Sequence, residues 1–306
     1  NSTYFHRNPI KVSRSENEYF NNVSSSKFVN ESSKNNNKGK GFYTTIGIDY
    51  YISPKTTIGG SINYQNINNT NDSRTFTDFL DANQISNSTN DRTHLSLFDN
   101  DILEFTVEYE HNFEKEGRNL SSYLTFSKDV ETYNNNIFNS NDSFTDENYI
   151  EKNKLKNTIL DVTFSNPIKD NLSYEIGYNG EFGKIPFTIS NNSLNSDIDY
   201  TENIHAFFAE IANEDDQWSY NIGLRAEFSE SKIKYSSANP TLIKNYNDLF
   251  PSLSLSYAIN DDENLNLSFG KNIIRPYYRI LQPFEQKVSE TSSYIGNENI
   301  DPIYAT

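Results

Sequence analysis

Cysteine and methionine are both absent from the 306 residues, and tryptophan occurs once. The lack of cysteine excludes disulfides and thiol chemistry, and it is compatible with passage through an oxidising periplasm. No apolar run approaches the roughly 18 residues that indicate a transmembrane helix, so helical membrane spans are excluded. Apolar residues make up only 34% of the chain, whereas globular proteins usually contain about 45–50%.

Positive charge is also scarce, since 26 basic residues face 42 acidic ones and give a net charge of −16. Such a chain repels phosphate backbones, so we expect no nucleic-acid partner. Aromatic residues, in contrast, reach 14%, with 21 Tyr and 21 Phe. Disordered chains are poor in aromatics. Low apolar and high aromatic content together indicate a membrane β-barrel, in which only one face of each strand is apolar and aromatic girdles mark the interfaces.

The clearest local pattern lies between Asn247 and Pro302. On either side of a polar turn at 260–263, apolar residues alternate with small polar ones: Leu253, Leu255, Tyr257 and Ile259 with Ser252, Ser254, Ser256 and Ala258, then Leu265, Leu267 and Phe269 with Asn266, Ser268 and Gly270. A period of two predicts a half-buried antiparallel hairpin. An aliphatic and aromatic face opposite a very polar one suits a strand between lipid and a wet lumen.

The same alternation predicts four earlier hairpins. They pair Phe42–Ile52 with Thr56–Tyr64, Ile102–Phe113 with Leu120–Lys128, Leu155–Ser165 with Leu172–Phe182, and Tyr200–Ala212 with Trp218–Phe228. The five predicted short turns are 53–55, 114–118, 166–171, 213–217 and 260–263. The stretches that lack a period are predicted as long polar loops: 13–40, 65–100, 129–154, 183–199 and 229–246.

Short turns at one end and long loops at the other are typical of transmembrane barrels, whose short turns are periplasmic. We therefore predict an all-β fold, a transmembrane antiparallel up-and-down β-barrel domain over residues 1–306, with ten clear strands and a partial strand at each end. Aromatic residues near the short turns are predicted to form a girdle: Tyr50, Phe113, Trp218 and Tyr257.

Several segments also resemble one family of outer-membrane barrels. Residues 47–59 (GIDYYISPKTTIG), 200–206 (YTENIHA), 218–227 (WSYNIGLRAE), 249–257 (LFPSLSLSY), 275–284 (RPYYRILQPF) and 296–302 (GNENIDP) are similar, in order, to segments of TonB-dependent-receptor-like barrels. Gln282 stands where the family usually has Asn, and Glu298 where it usually has Pro after Gly-Asn.

The resemblance implies a 22-stranded barrel in the outer membrane, filled by an N-terminal plug, that imports a nutrient with energy from TonB. Ten to twelve strands would then be part of a larger wall, with the plug and the C-terminal strands outside these 306 residues. A closed barrel of 12 strands is the alternative. The partners implied are outer-membrane lipid, the plug and TonB.

Charged residues are predicted on the lumen face of three strands. They are Glu104, Glu108 and Glu110 on one, Glu175 and Glu181 on another, and Arg225 and Glu227 on a third. Carboxylates two residues apart could bind a cationic ligand or act as an acid/base pair. The simpler interpretation is contact with a plug or with water, and we expect Arg225 to pair with a lumen carboxylate.

Aromatic residues cluster in a predicted outer loop that contains Pro276 and Pro283: Tyr277, Tyr278, Phe284 and Tyr294. Exposed aromatics in such a loop could hold a ligand or a surface lipoprotein. They could equally pack the loop onto its neighbours.

No motif in the chain predicts catalysis, a cofactor or a metal. The four His residues are far apart, and no P-loop, dinucleotide fingerprint or calcium loop is present. On the resemblance to TonB-dependent-receptor-like barrels, import through the outer membrane is the leading hypothesis. The rivals are a non-transporting barrel that serves in scaffolding, adhesion or assembly of surface lipoproteins, a passive porin, and a soluble β-sandwich adhesin.

Overall fold

The structure, a computed structural model, describes residues 2–18, 26–191, 195–215, 217–235, 241–260, 262–282, 285–287 and 293–306. β-Strand dominates these ranges, and their one helical element is a 3-10 turn at Tyr278–Leu281. No helix in them has the length and apolar character needed to cross a membrane.

Twelve strands form one antiparallel sheet. They are β1 (Ser2–Arg7), β2 (Ile10–Glu18), β3 (Phe28–Ser53), β4 (Thr56–Leu80), β5 (Ser86–Asn112), β6 (Asn119–Asn139), β7 (Glu147–Lys169), β8 (Leu172–Asn191), β9 (Asn195–Glu214), β10 (Trp218–Tyr235), β11 (Leu242–Asn260) and β12 (Glu263–Gly270). Four short strands follow: β13 (Asn272–Ile274), β14 (Glu285–Lys287), β15 (Ser293–Ile295) and β16 (Ile303–Ala305). They form two small pairs, β13 with β16 and β14 with β15.

Each strand from β3 to β12 pairs with its neighbours in sequence, which confirms the predicted up-and-down order. Both β1 and β2 pair with β3, one after the other along its length. Pro9 lies between them at the sheet edge, where its missing N–H breaks no ladder bond. Among the described residues β1 and β12 do not pair with each other, so the sheet is open.

The predicted long loops are wrong, because most of their residues belong to strands. Residues 65–100 continue β4 and β5 up to a turn at 81–85, with Gln65 opposite Ile102 and Leu80 opposite Ser86. In that turn the Asp81 carboxylate accepts hydrogen bonds from the backbone N–H groups of Asn83 (2.8 Å) and Ile85 (2.9 Å). Both ends of the sheet therefore have short connections where the chain is described.

These strands were predicted as loops because water contacts both faces of this part of the sheet. Alternation marks a strand only where its two faces meet different surroundings. Beyond the apolar zone, polar side chains lie on both faces, and pairing is held by backbone hydrogen bonds that do not depend on side-chain type. Polar pairs such as Arg74 with Asp91, and His94 Nε2 with Asn135 Oδ1 at 3.0 Å, bridge neighbouring strands there.

One face of the sheet carries an exposed apolar band, as the alternation predicts. The band lies near the end that holds the connections β3–β4, β5–β6, β7–β8, β9–β10 and β11–β12, which we continue to call the short turns. Phe105 is 43% exposed and Ile222 is 49% exposed, so neither is part of a dry protein core. The cross-strand register places the band's side chains on one face: Ile46, Ile48, Ile58, Ile62, Leu103, Phe105, Val107, Phe126, Ile176, Phe207, Ile222, Leu224, Leu249, Leu265, Leu267 and Phe269. We call this the outward face and the opposite one the inner face.

Aromatic side chains lie near the short turns at the edge of the apolar band. The Trp218 and Tyr257 rings, on directly opposite residues of β10 and β11, have centroids 4.4 Å apart. Phe113 packs edge-on against Phe164, with centroids 6.0 Å apart. This is the position in which an interfacial aromatic girdle is expected.

Farther from the short turns, the apolar side chains of β8, β9 and β10 lie on the inner face instead of the outward face. Buried residues of β8, β9 and β10 form a cluster on the inner face: Phe187, Ile189, Ile198, Tyr200, Ile233 and Tyr235. Tyr278 and Leu281, from the segment that follows β12, complete this cluster. The main apolar core therefore lies on the inner side, under a segment of the chain that folds back over the sheet.

Candidate functional site: a strap across the inner face

The chain leaves β12 and crosses the inner face as a segment that we call the strap, residues 271–282. Its start is held by β13, which pairs with β16. Pro276 disfavours a helical conformation for the residue before it. Immediately afterwards the backbone N–H of Ile280 donates to the Tyr277 carbonyl at 2.9 Å, which forms the single 3-10 turn. Gln282 is extended, at φ −76° and ψ 120°, as expected before Pro283.

Two side chains of the 3-10 turn anchor the strap to the sheet. Tyr278 is 6% exposed and Leu281 is 4% exposed. The Tyr278 ring lies 6.2 Å from the Phe187 ring and 6.3 Å from the Tyr200 ring, measured between centroids. The anchor therefore combines apolar burial with aromatic contacts to β8 and β9.

Arg275 fixes the strap to β9 and β10 through charge. Its Nη2 donates to Glu227 Oε2 at 2.6 Å, and its Nε lies 3.9 Å from Glu202 Oε1. Glu227 also accepts a hydrogen bond from Arg225 Nε at 2.6 Å through its other oxygen. One carboxylate thus joins a strand arginine to a strap arginine, which is a strong charge-assisted arrangement.

Arg279 makes the equivalent contact with β6 and β7. Its Nη2 lies 2.9 Å from Glu151 Oε1 and 3.3 Å from Glu131 Oε2. The guanidinium carbon is also 5.1 Å from the centroid of the Tyr133 ring, within the range of a cation–π interaction. The strap is therefore bound by two arginines, four residues apart, to two different pairs of strands.

Burial affects the carboxyl groups that receive these arginines. Desolvation raises the pKa of Glu151 above the ordinary value, although the Arg279 charge opposes that effect. Desolvation likewise raises the pKa of Glu202, opposed by Arg275. Both groups lie farther from the short turns than the apolar band. Because ionised carboxylates are costly to bury, the two arginines are needed to keep these groups charged.

The C-terminal residues add a second line of contacts at the same end. Lys244 Nζ donates to the Ile300 carbonyl at 2.6 Å, and the Tyr235 hydroxyl donates to Glu298 Oε2 at 2.9 Å. The Tyr304 hydroxyl donates to Asp248 Oδ2 at 2.9 Å. Residues 296–304 are therefore attached to β10 and β11, beside the strap.

The aromatic residues predicted to bind a ligand differ in their exposure where the structure describes them. Tyr278 is buried and packs the strap onto the sheet, in agreement with the packing alternative. Tyr277 is 57% exposed, with its ring centroid 4.4 Å from that of Tyr278. Tyr294 is exposed on β15. Phe284 lies outside the described residues.

The predicted lumen carboxylates lie on the inner face, and four of them accept hydrogen bonds from neutral neighbours. Glu104 bonds to Asn63 (2.9 Å), Glu110 to Asn112 and Asn119 (3.2 Å each), Glu175 to Ser165 (2.9 Å) and Glu181 to Asn157 (3.2 Å). Glu108 and Glu110 line an open groove of about 610 Å³ with Asp49 and Tyr123. In the described part of the chain no group of three or more His, Asp or Glu could hold a metal ion.

Arg225 and Glu227 are the predicted lumen residues that take part in the strap site. Glu227 accepts from Arg275 and Arg225, and Arg225 also donates from its Nη2 to Asn179 Oδ1 at 3.0 Å. The sequence interpretation missed Arg275, Arg279, Glu131, Glu151 and Glu202. One signal was available, because Arg275 and Arg279 are the only arginines after Arg225. Glu131 and Glu151 fell in stretches interpreted as loops, so no face could be assigned to them.

Comparison with solved structures identifies the type of fold. The hemophore receptor HasR of Serratia marcescens, a double mutant in complex with its hemophore HasA and heme, aligns with a TM-score of 0.50 and 9% identity, covering 97% of this chain and 49% of that one. The siderophore receptor PiuA of Acinetobacter baumannii aligns with a TM-score of 0.46 and 9% identity, covering 81% and 48%. The translocator domain of the autotransporter NalP of Neisseria meningitidis aligns with a TM-score of 0.34 and 10% identity, covering 86% and 80%.

The chain thus spans about half the length of the two receptors. At these identities the likeness to HasR concerns the fold alone. A search of curated proteins found no sequence match. A family profile, however, matches residues 111–306, which is well over half of the chain and includes the strap, its four carboxylates and β6 to β16. The protein is therefore located in the outer membrane and belongs to the outer membrane protein beta-barrel family.

Proposed function

We propose that this chain forms part of the wall of a transport barrel of the TonB-dependent receptor type and imports a nutrient ligand. The observation that carries the proposal is the strap, which lies across the inner face at the end away from the short turns. If the short turns are periplasmic, a ligand that enters from outside meets this segment first. The strap narrows the entrance, and its arginines hold it in place.

Two further features support the proposal. The motifs that resemble TonB-dependent-receptor-like barrels follow that family's order over residues 47–302. The sheet is open, and its inner face is lined by polar groups that suit a plug or a water-filled path. A plug and the remaining strands of a 22-stranded wall would complete the barrel, with TonB as the energy-coupling partner. The proposed role is binding and passage, without catalysis.

The test uses the full-length protein, purified in detergent. Binding of the periplasmic domain of TonB is measured by surface plasmon resonance, and ion conductance is measured in planar bilayers. We expect specific TonB binding and a closed resting state. Steady conductance without TonB binding would instead identify a passive porin. A protein that shows no conductance and does not bind TonB would overturn transport in favour of a scaffold for surface lipoproteins.

The strap's role in the path is tested by a double variant, Arg275→Ala with Arg279→Ala. We expect more frequent conductance openings in the variant than in the wild type, because the strap loses its charged contacts with four strands. Arg7→Ala with Arg14→Ala removes two charges on β1 and β2, away from the strap, and serves as the control. Identical conductance in all three proteins would contradict a gating role for the strap.

A further inference from the structure

Lysines on β6, β7 and β8 form a distinct patch on the outward face. The register places Lys128 opposite Lys156, and Lys156 opposite Lys184, in one row across the three strands. Lys154 and Lys152 continue the patch along β7, on the same face as Lys156. All five side chains are exposed. We call these five residues the outward lysine patch.

Charge on these three strands is sorted by face. Every acidic residue within β6, β7 and β8 lies on the inner face: Asp129, Glu131, Glu147, Glu151, Asp161, Glu175 and Glu181. No carboxylate lies on the outward face of β6 between Leu120 and Asn134. The residues that face this stretch on β7 and β8 carry none either. The outward carboxylates nearest the patch lie on the flanking strands: Asp99 and Asp101 on β5, and Asp197 and Asp199 on β9. Around the patch, the outward face is therefore basic along β6 to β8 and acidic on the strands that border them.

The lysines have almost no ion-pair partners in the described part of the chain. Only Lys184 reaches a carboxylate, that of Asp199, at 4.0 Å. Like charges on directly opposite residues of neighbouring strands repel, since their Cβ atoms are only about 4.5–5.5 Å apart. Two such contacts, Lys128 with Lys156 and Lys156 with Lys184, share one residue. An anion bound against the patch would relieve this repulsion.

The position of the row relative to the apolar band identifies the anion. Phe126, Thr158 and Phe182 form the outward row immediately next to the lysine row, on the side of the short turns. Two residues of strand separate the rows, which is about 7 Å. Phe126 is 48% exposed and belongs to the band that contacts lipid. The lysines therefore lie at the level of the lipid headgroups.

We propose that the outward lysine patch binds the phosphate groups of anionic lipids in the outer leaflet. Lysine stems lie along the apolar surface while the ammonium groups reach the headgroups, and phosphate oxygens accept several hydrogen bonds at once. The site is continuous with the lipid-contacting band, which favours a membrane lipid over a soluble anion. The patch depends on outer-membrane location and not on transport, so failure of the proposed function leaves it unaffected.

The experiment measures lipid retention by the full-length protein in detergent with native mass spectrometry. The probes are diphosphorylated lipid A, monophosphorylated lipid A and inorganic phosphate. The triple variant Lys128→Gln, Lys154→Gln, Lys156→Gln is compared with wild type, with the Arg triple at the same positions, and with Lys55→Gln, Lys115→Gln, Lys169→Gln near the opposite rim. Heat-modifiability on gels verifies that each barrel is folded.

We expect the Gln triple to bind diphosphorylated lipid A at least about tenfold more weakly than wild type, since each surface lysine contributes appreciably to anionic-lipid binding. The Arg triple and the rim triple should resemble wild type, and monophosphorylated lipid A should bind less well. Equal retention by the Gln triple and wild type would overturn the proposal. Tight binding of inorganic phosphate that displaces the lipid would also overturn it, by making the patch a site for soluble anions.

Discussion

At the residue scale, the strap depends on single guanidinium groups that each serve two carboxylates on adjacent strands. Arg279 is the clearest case, because Glu131 and Glu151 would be left close together without a cation. Arginine suits this role, since its planar group presents several donors at fixed angles and stays charged when partly buried. The same position with lysine would keep the charge and lose the second contact.

Replacing Arg279 with Met should destabilise the folded protein. Breaking a fully buried ion pair costs about 3–5 kcal/mol. Because 32% of the Arg279 side chain remains exposed, we expect Arg279→Met to lower the free energy of unfolding by about 1–3 kcal/mol. The stability of Arg279→Lys should lie between those of the wild type and Arg279→Met. Urea unfolding of the full-length protein in lipid measures the change. Arg14→Met, on exposed β2, is the control, and an equal effect of both variants would contradict the assignment.

Glu151 should make stability depend on pH. Burial raises its pKa above 4.5 in the folded protein. Its contribution is therefore fully present below the unfolded pKa and is lost as the pH rises through the raised folded pKa. Relative to Glu151→Gln, the wild type should lose stability as the pH rises from below the ordinary carboxyl pKa through the raised pKa of the folded state.

Thermal unfolding of both proteins across that pH range measures the effect. Glu116→Gln, in the exposed β5–β6 turn, controls for the loss of one carboxyl charge. Parallel stability curves for wild type and Glu151→Gln would show that the buried carboxyl does not titrate in this way.

At the element scale, the strap is a short segment held by one aromatic anchor. Tyr278→Ala would remove the ring that packs on Phe187 and Tyr200, a loss on the order of 3 kcal/mol for a buried aromatic side chain. The loosened strap should expose the Arg279–Ile280 bond to trypsin, whereas Arg275 is protected by the proline that follows it. Limited proteolysis with mass mapping detects the cut.

Tyr277→Ala is the matched control for this variant, because Tyr277 is the neighbouring aromatic residue and is 57% exposed. We expect its cleavage pattern to match wild type. Rapid cleavage after Arg279 in the wild type itself would contradict a tightly packed strap.

The elements also show what sequence can and cannot predict. The hairpin of Leu253 and Phe269 was predictable, because lipid and water impose a strict period of two on its side chains. Ile185, Phe187 and Ile189 alternate just as clearly, but their apolar face is the inner one. The stretch interpreted as a loop at 183–199 therefore contains the end of β8 and the start of β9, and the apolar side of both strands there is the inner one.

The strap site was not predictable for a different reason. Its contacts join residues far apart in sequence, such as Arg279 and Glu131, which are separated by 148 positions. No local period marks either partner, because a single charged residue on a polar strand has the same pattern as a solvated one. Only the strand register shows that Glu131 and Glu151 share the inner face.

At the scale of the whole molecule, the orientation of the sheet follows from its two faces. The outward band contacts lipid, and directly opposite that band the inner face is polar, so a charge should be tolerated there and not on the outward side. Phe105→Arg places a cation on the lipid side, which costs about 2–4 kcal/mol near the bilayer centre. Thr106→Arg, at the next residue, faces inward and should cost much less.

Folding efficiency into lipid vesicles and urea unfolding of the two variants measure this difference. A larger effect of Thr106→Arg than of Phe105→Arg would reverse the assignment of the faces. Equal and small effects would indicate that neither side contacts acyl chains.

The strap has a mechanical consequence for the wall. Arg275 contacts β9 and β10, Arg279 contacts β6 and β7, and only the four-residue spacing of the strap separates the two groups. This short span fixes the straight-line distance between strands that lie on either side of β8. Flattening the sheet would lengthen that distance and detach one guanidinium. The strap therefore sets a lower limit on the curvature of the wall. A barrel with a wider lumen would require Arg275 or Arg279 to leave its carboxylates.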